Sequence, residues 1–134
     1  MSQGYQIYDQ HSLYYLTFQI VNWVDVFTRL AYKEIIIDSL NYCRKNKGLE
    51  LYGYVIMTNH IHLIARSKES NQLSDTIRDF KKFTSKKLIE AIKDHPESRR
   101  EWLLRKFSYE AQKLRMTTSP RISSSVLTVR PSHS

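Results

Sequence analysis

Met57-Thr58-Asn59-His60-Ile61-His62-Leu63-Ile64 reads as a two-residue hairpin turn running into a strand that carries two histidines. Side chains alternate across a strand with period two, so His60 and His62 project from one face. Ile61, Leu63 and Ala65 project from the other, toward a core. Two imidazoles side by side on an open sheet face are a donor set for a divalent metal that keeps vacant positions. A metal held that way polarises a phosphate.

Working outward, residues 49–57 read as the preceding strand. Leu49, Leu51, Val55 and Met57 fall on one face by alternation, Tyr52 and Tyr54 on the other. Thr58-Asn59 is short enough for a hairpin loop, and Asn tolerates positive φ. Upstream, residues 31–46 have helical spacing, with Tyr32, Ile36, Leu40 and Cys43 on one stripe. Lys45, Lys47 and Gly48 mark that helix's end. Residues 12–21 are rich in aromatic and β-branched types and predict a first strand.

Downstream, Ser74 is a good N-cap for a long helix, with Asp75 in its first turn. Leu73, Ile77, Phe80, Leu88 and Ala91 form the buried stripe. A further helix is expected over about 98–114, with Leu103, Phe107, Ala111 and Leu114 inward. Trp23 and Trp102 read as core or helix-contact residues. Residues 115–134 contain nine Ser or Thr, three Arg, no acid and no aromatic. Without periodicity they read as a disordered tail, leaving a domain at 1–114. The element order is β-α-β-β-α-α. A ferredoxin-like sheet needs one more strand, and none is legible.

Composition bounds the function. The 134 residues suit a single core. Twenty-one Lys and Arg against 13 Asp and Glu give a formal charge of +8, which favours a polyanionic partner. Cys43 is the only cysteine, excluding disulfides and cysteine-rich zinc sites. No apolar run reaches the length of a membrane span and no leader is evident, so a cytoplasmic location without membrane contact is the default. No histidine is followed two residues later by Ser or Thr, which excludes a phosphoesterase built on paired His-x-Ser/Thr motifs. With Gly4, Gly48 and Gly53 alone, no glycine-rich phosphate loop exists.

Lys81, Lys82, Lys86 and Lys87 cover a flank of the long helix, and Arg78 and Lys93 extend it. A solvated helix face is the commoner meaning of such a run; contact with phosphates is the functional one. Tyr52 and Tyr54 suit either base stacking or packing within the sheet.

The aromatic first strand, the Val55–Leu63 hairpin and the Phe80-Lys81-Lys82-Phe83-Thr84 helix together resemble the HUH single-tyrosine transposases, and most closely the REP-associated tyrosine transposases of bacteria. The similarity runs through residues 10–114, with Thr58 where the family usually has proline. The resemblance implies an α+β, ferredoxin-like HUH domain with helices on one sheet face and histidines on the other. It implies cleavage and rejoining of single-stranded or hairpin DNA in the transposition of mobile elements. By the same resemblance, His60 and His62 hold Mg²⁺ or Mn²⁺, and a tyrosine attacks the phosphate to form a phosphotyrosine.

In that family the tyrosine lies on a later helix, beyond a fourth strand and just before an Asn-Pro pair. This sequence has no Asn-Pro and no tyrosine after Tyr109. No catalytic residue is therefore assigned; Tyr109 as a substitute nucleophile is outweighed by its reading as an ordinary helix tyrosine. The expectation is a reading frame truncated or shifted near Leu114–Arg115. Translating the downstream DNA in all three frames tests it: a continuation with Trp, Tyr and Asn-Pro supports the expectation, and its absence defeats it. Two alternatives stand beside the transposase reading. One is a non-catalytic DNA-binding remnant, the other an RNA-binding ferredoxin-like domain with no metal on its histidines. A sheet lacking its last strand would expose an edge and favour self-association, a homodimer included.

Overall fold

Alternating apolar residues set the central strand. In the computed structural model, which describes residues 7–21, 24–94, 97–117 and 127–133, β1 is Tyr14–Ile20. Its Leu16, Phe18 and Ile20 are buried, while Tyr15, Thr17 and Gln19 lie on the opposite face. Helix α1 (Leu30–Asn46) buries the expected stripe of Tyr32, Ile36, Leu40 and Cys43. Burial pushes the Cys43 thiol up to about 11, so it is an inert core residue. The helix ends at Lys47, followed by Gly48 at φ 70°, a conformation that favours glycine. Asn71 packs where a side chain on Gly48 would lie.

Strands β2 (Leu49–Ile56) and β3 (His60–Ser67) form the expected hairpin, closed by the bond from Met57 N–H to His60 C=O at 2.8 Å. Helix α2 (Leu73–Asp94) buries Leu73, Ile77, Phe80, Leu88 and Ala91. It packs on the sheet through Phe80, whose ring meets Phe18 edge-on at 4.9 Å. Helix α3 (Arg100–Thr117) buries Leu103 and Phe107; the side chains of Ala111 and Leu114 lie outside the described residues.

The sheet order is β2-β3-β1-β4, all neighbours antiparallel. The α+β architecture is as expected, with helices on one face and the histidines on the other. The fourth strand is a correction. Residues Leu127–His133, expected to belong to a structureless tail without a last strand, form β4 on the free side of β1. Leu127 and Val129 are buried in the shared core, and Pro131, which has no N–H to donate, sits in an edge strand where one is dispensable. The rest of that tail, residues 118–126, falls outside the described residues.

Three local expectations also change. Ser74 lies inside α2; the helix is capped at Gln72, whose carbonyl accepts from Asp75 and Thr76, while the Gln10 amide binds Ser74 N–H and hydroxyl. A bulge between Leu51 and Gly53 shifts the β2 register, so strict alternation fails there. Of the two readings of Trp102, core or helix contact, the core one does not hold, since it is 46% exposed on α3. Trp23 is outside the described residues. Among those residues, no helix is long and apolar enough to cross a membrane.

Candidate functional site

The two histidines stand on the open face of β3, the central pair of strands holding them from both sides. His60 lies across from Gln19 and His62 across from Thr17 in register. On the β2 side, Val55 is opposite His62. The imidazole centroids are 4.7 Å apart with planes at 78°.

Each ring is fixed through one nitrogen. His60 Nδ1 lies 2.9 Å from Asn59 Oδ1, an acceptor, so Nδ1 donates. His62 Nδ1 lies 3.2 Å from Thr17 Oγ1. Tyr15 stacks on the His62 ring at 5.3 Å and 13°. Burial, and then the charge of neighbouring His60, holds the His62 pKa below its ordinary value. A neutral imidazole is the ligating form.

The turn that carries this pair is clamped. Asn59 C=O accepts from Ile20 N–H at 2.9 Å, and Thr58 C=O from Phe27 N–H at 2.8 Å. The Thr58 hydroxyl donates to Asp25 at 2.9 Å, and the Asp25 carbonyl accepts from Arg99 at 2.9 Å. Arg99 in turn binds Glu97. The histidine turn is thus tied to the start of α3.

Nitrogens from two adjacent imidazoles fit an ion of the Mn²⁺ kind better than Mg²⁺, which favours oxygen ligands. Among the described residues, no group of three or more His, Cys, Asp or Glu comes together for a metal.

The remaining expected site residues are dispersed. Tyr52 sits in the bulge, with Arg66 over its ring at 5.9 Å and its hydroxyl near Glu50. Arg66 shares strand parity with the histidines. Tyr54 pairs with the core residue Leu63, on the opposite parity. The bulge separates the two tyrosines. On α2, Arg78 is paired with Asp75 and Asp79 at 3.2 and 3.1 Å. Burial lowers the Lys81 pKa. Lys82 and Lys86 are exposed, and Lys87 lies over Phe83 at 5.5 Å, itself stacked on Tyr42. Because α2 covers the face opposite the histidines, these cations and the imidazoles do not converge on one phosphate. Residues 15, 17 and 59 escaped the sequence reading. The alternation of Tyr15, Thr17 and Gln19 against Leu16, Phe18 and Ile20 was the signal that places two of them beside the histidines.

With this geometry in hand, comparison with known proteins is informative. A family model described as "Transposase IS200 like" matches residues 11–126. No curated protein matches the sequence. Among solved structures, one of a REP-associated tyrosine transposase bound to a REP hairpin aligns at a TM-score of 0.54 and 18% identity, over 64% of this chain and 52% of that one. A candidate transposase from Deinococcus radiodurans aligns at 0.53 and 14%, over 81% of this chain and 96% of that one. The chain thus spans about half the length of the first of these proteins and nearly all of the second.

Proposed function

The chain belongs to the IS200-like transposase family, and from that premise we propose that it binds single-stranded or hairpin DNA and presents His60 and His62 to a scissile phosphate through a divalent metal. The observation that carries the reading is the pair of adjacent imidazoles on one sheet face, 4.7 Å apart, each with its Nδ1 against a neighbouring side chain. Transposases of this family are generally metal-dependent.

His60 and His62 would hold Mn²⁺ or Mg²⁺. The bound metal supplies Lewis-acid polarisation of a phosphate oxygen. The chain's own residues do the positioning: Asn59 and Thr17 hold the two Nδ1 atoms, and Tyr15 holds the plane of His62. Tyr52 and Arg66, on the histidine side of the sheet, are placed to meet a base and a phosphate. Lys82, Lys86 and Lys87, on the helix side, would engage the DNA backbone at a separate place and contribute a salt-dependent affinity. Arg78, already paired, and half-buried Lys81 would contribute less, as would Tyr54 on the other strand parity.

A second reading, a DNA-binding protein without strand cleavage, is favoured by the exposed Lys82, Lys86 and Lys87, which lie on the helix side and away from the histidines. One experiment separates them. The protein is incubated with hairpin-containing single-stranded DNA and Mn²⁺, beside His60→Ala/His62→Ala, and resolved on a denaturing gel. Strand cleavage predicts a DNA-linked band absent from the double variant, and Tyr109 is then the first tyrosine to map. Binding alone predicts no band, with DNA still retained in a shift assay. In either case Mn²⁺ should broaden the imidazole proton signals of His60 and His62; unbroadened signals at millimolar Mn²⁺ would remove the metal site.

A further inference from the structure

Helix α3 carries a feature that the histidine site does not use. Its core side is Leu103 and Phe107, both buried. On the adjoining flank, Trp102, Arg105, Lys106 and Tyr109 follow at i, i+3, i+4 and i+7, which places them in one stripe. Trp102 is 46% exposed and Tyr109 58%. Lys106 Nζ lies over the Trp102 ring at 5.6 Å. Arg105 is exposed, and with Trp102 it walls a cleft of about 470 Å³ that opens beside the start of the helix. Glu101, one turn before Arg105, lines the same cleft and is the one acid adjoining the stripe at its start. The nearby Glu97 is neutralised by Arg29 and Arg99. The stripe is therefore two exposed rings with two cations between them.

We propose that this flank of α3 is a track for single-stranded DNA, in which bases stack on Trp102 and Tyr109 and the intervening phosphates pair with Arg105 and Lys106. The dimensions agree. Seven residues of helix separate the rings by about 10 Å, close to the rise of three stacked nucleotides. Stacking on exposed rings flanked by Lys and Arg is the general mode of sequence-tolerant single-strand binding. The positive charge of the stripe selects a polyanion over an apolar partner. The assignment rests on the DNA-binding reading and names a surface distinct from both the histidines and the α2 lysines.

The test measures binding of a short oligothymidylate by fluorescence and by shift assay over a range of salt. Trp102→Ala should weaken affinity by roughly tenfold, while Trp102→Phe, which keeps a stacking ring, should bind nearly as the parent does. Tryptophan quenching on DNA addition should be present in the parent and strongly reduced in Trp102→Phe. Arg105→Gln/Lys106→Gln should reduce the slope of log K against log salt by about 1.4, for two phosphates released from a single strand. Unchanged affinity and slope in these variants, alongside weakened binding in Lys86→Gln/Lys87→Gln, would overturn the track and leave DNA binding standing. No binding by the parent at low salt would overturn both. Tighter binding of oligouridylate than of oligothymidylate, lost in Trp102→Ala, would overturn the DNA occupant in favour of RNA.

Discussion

Replacing Glu97 with alanine should lower the stability of the fold by roughly 3 kcal/mol or more. The Glu97 side chain is wholly inaccessible to solvent, yet it is charged. Its carboxylate accepts from Arg29 Nε at 3.0 Å, Tyr32 Oη at 3.0 Å, Arg99 Nε at 3.1 Å and Arg99 N–H at 2.9 Å. Without it the two guanidinium groups, partly exposed, would regain water. The Tyr32 hydroxyl would not, because Tyr32 is fully buried. That unmatched donor, together with the lost cross-link between α1 and the start of α3, sets the size of the effect. A urea titration checks it: the midpoint should fall with an unchanged slope.

The same cluster makes an acid-side prediction. Burial pushes the Glu97 carboxyl up, but the hydrogen bonds from Arg99, Tyr32 and Arg29 outweigh it and hold the group at about 2, against an ordinary value of 4.5. A depressed native pKa contributes stability that is fully present above the unfolded value and is lost as pH falls through the native one. The parent should therefore lose this contribution between about pH 4.5 and about 2. Glu97→Gln, with nothing to titrate at that position, should show a shallower decline across the same window. Parallel declines would mean that the cluster does not control acid stability.

The second large effect is expected at Phe18. It is 1% exposed in the central strand, flanked in register by Ile61 and Val129, and its ring meets Phe80 of α2 edge-on. Phe18→Ala removes the ring contact with Phe80 that joins the sheet to α2 and leaves a cavity in the core. A loss of about 3–5 kcal/mol follows. Tyr52→Ala, on the exposed bulge, should cost well under 1 kcal/mol by comparison. Thermal melts of the two variants side by side give the contrast; similar melting temperatures would show that Phe18 is not the keystone of that interface.

Much of this architecture was legible from local pattern. The stripe Tyr32, Ile36, Leu40 and Cys43, the hairpin at Thr58-Asn59 and the buried face of α2 all declare themselves by spacing, because each is set by neighbours close in sequence. Strand β4 was not legible. Its only alternation is Leu127-Thr128-Val129, inside a Ser/Thr-rich stretch and next to a proline, and its pairing partner lies at the other end of the chain. The Leu51/Gly53 bulge inverted the faces of Tyr54 and Val55, since one extra residue reverses every side chain after it. The histidine pair was visible as a motif, but its support was not: Thr17 and Asn59 gain meaning only once β1 and β3 lie side by side. Glu97 was invisible for the same reason, its partners being at 29, 32 and 99.

The placement of β4 also bears on how the molecule reaches this state. Ile20 pairs with Leu127, so the last strand closes a loop of about a hundred residues, whereas the β2–β3 hairpin closes across two. Loop entropy and contact order put the hairpin early and β4 late. Until β4 arrives, the hydrogen-bonding edge of β1 stands open in a partly formed sheet that already exposes Leu16 and Phe18. During synthesis, that interval is when another nascent copy can add its own strand to β1, and the yield of native protein should fall as the rate of expression rises.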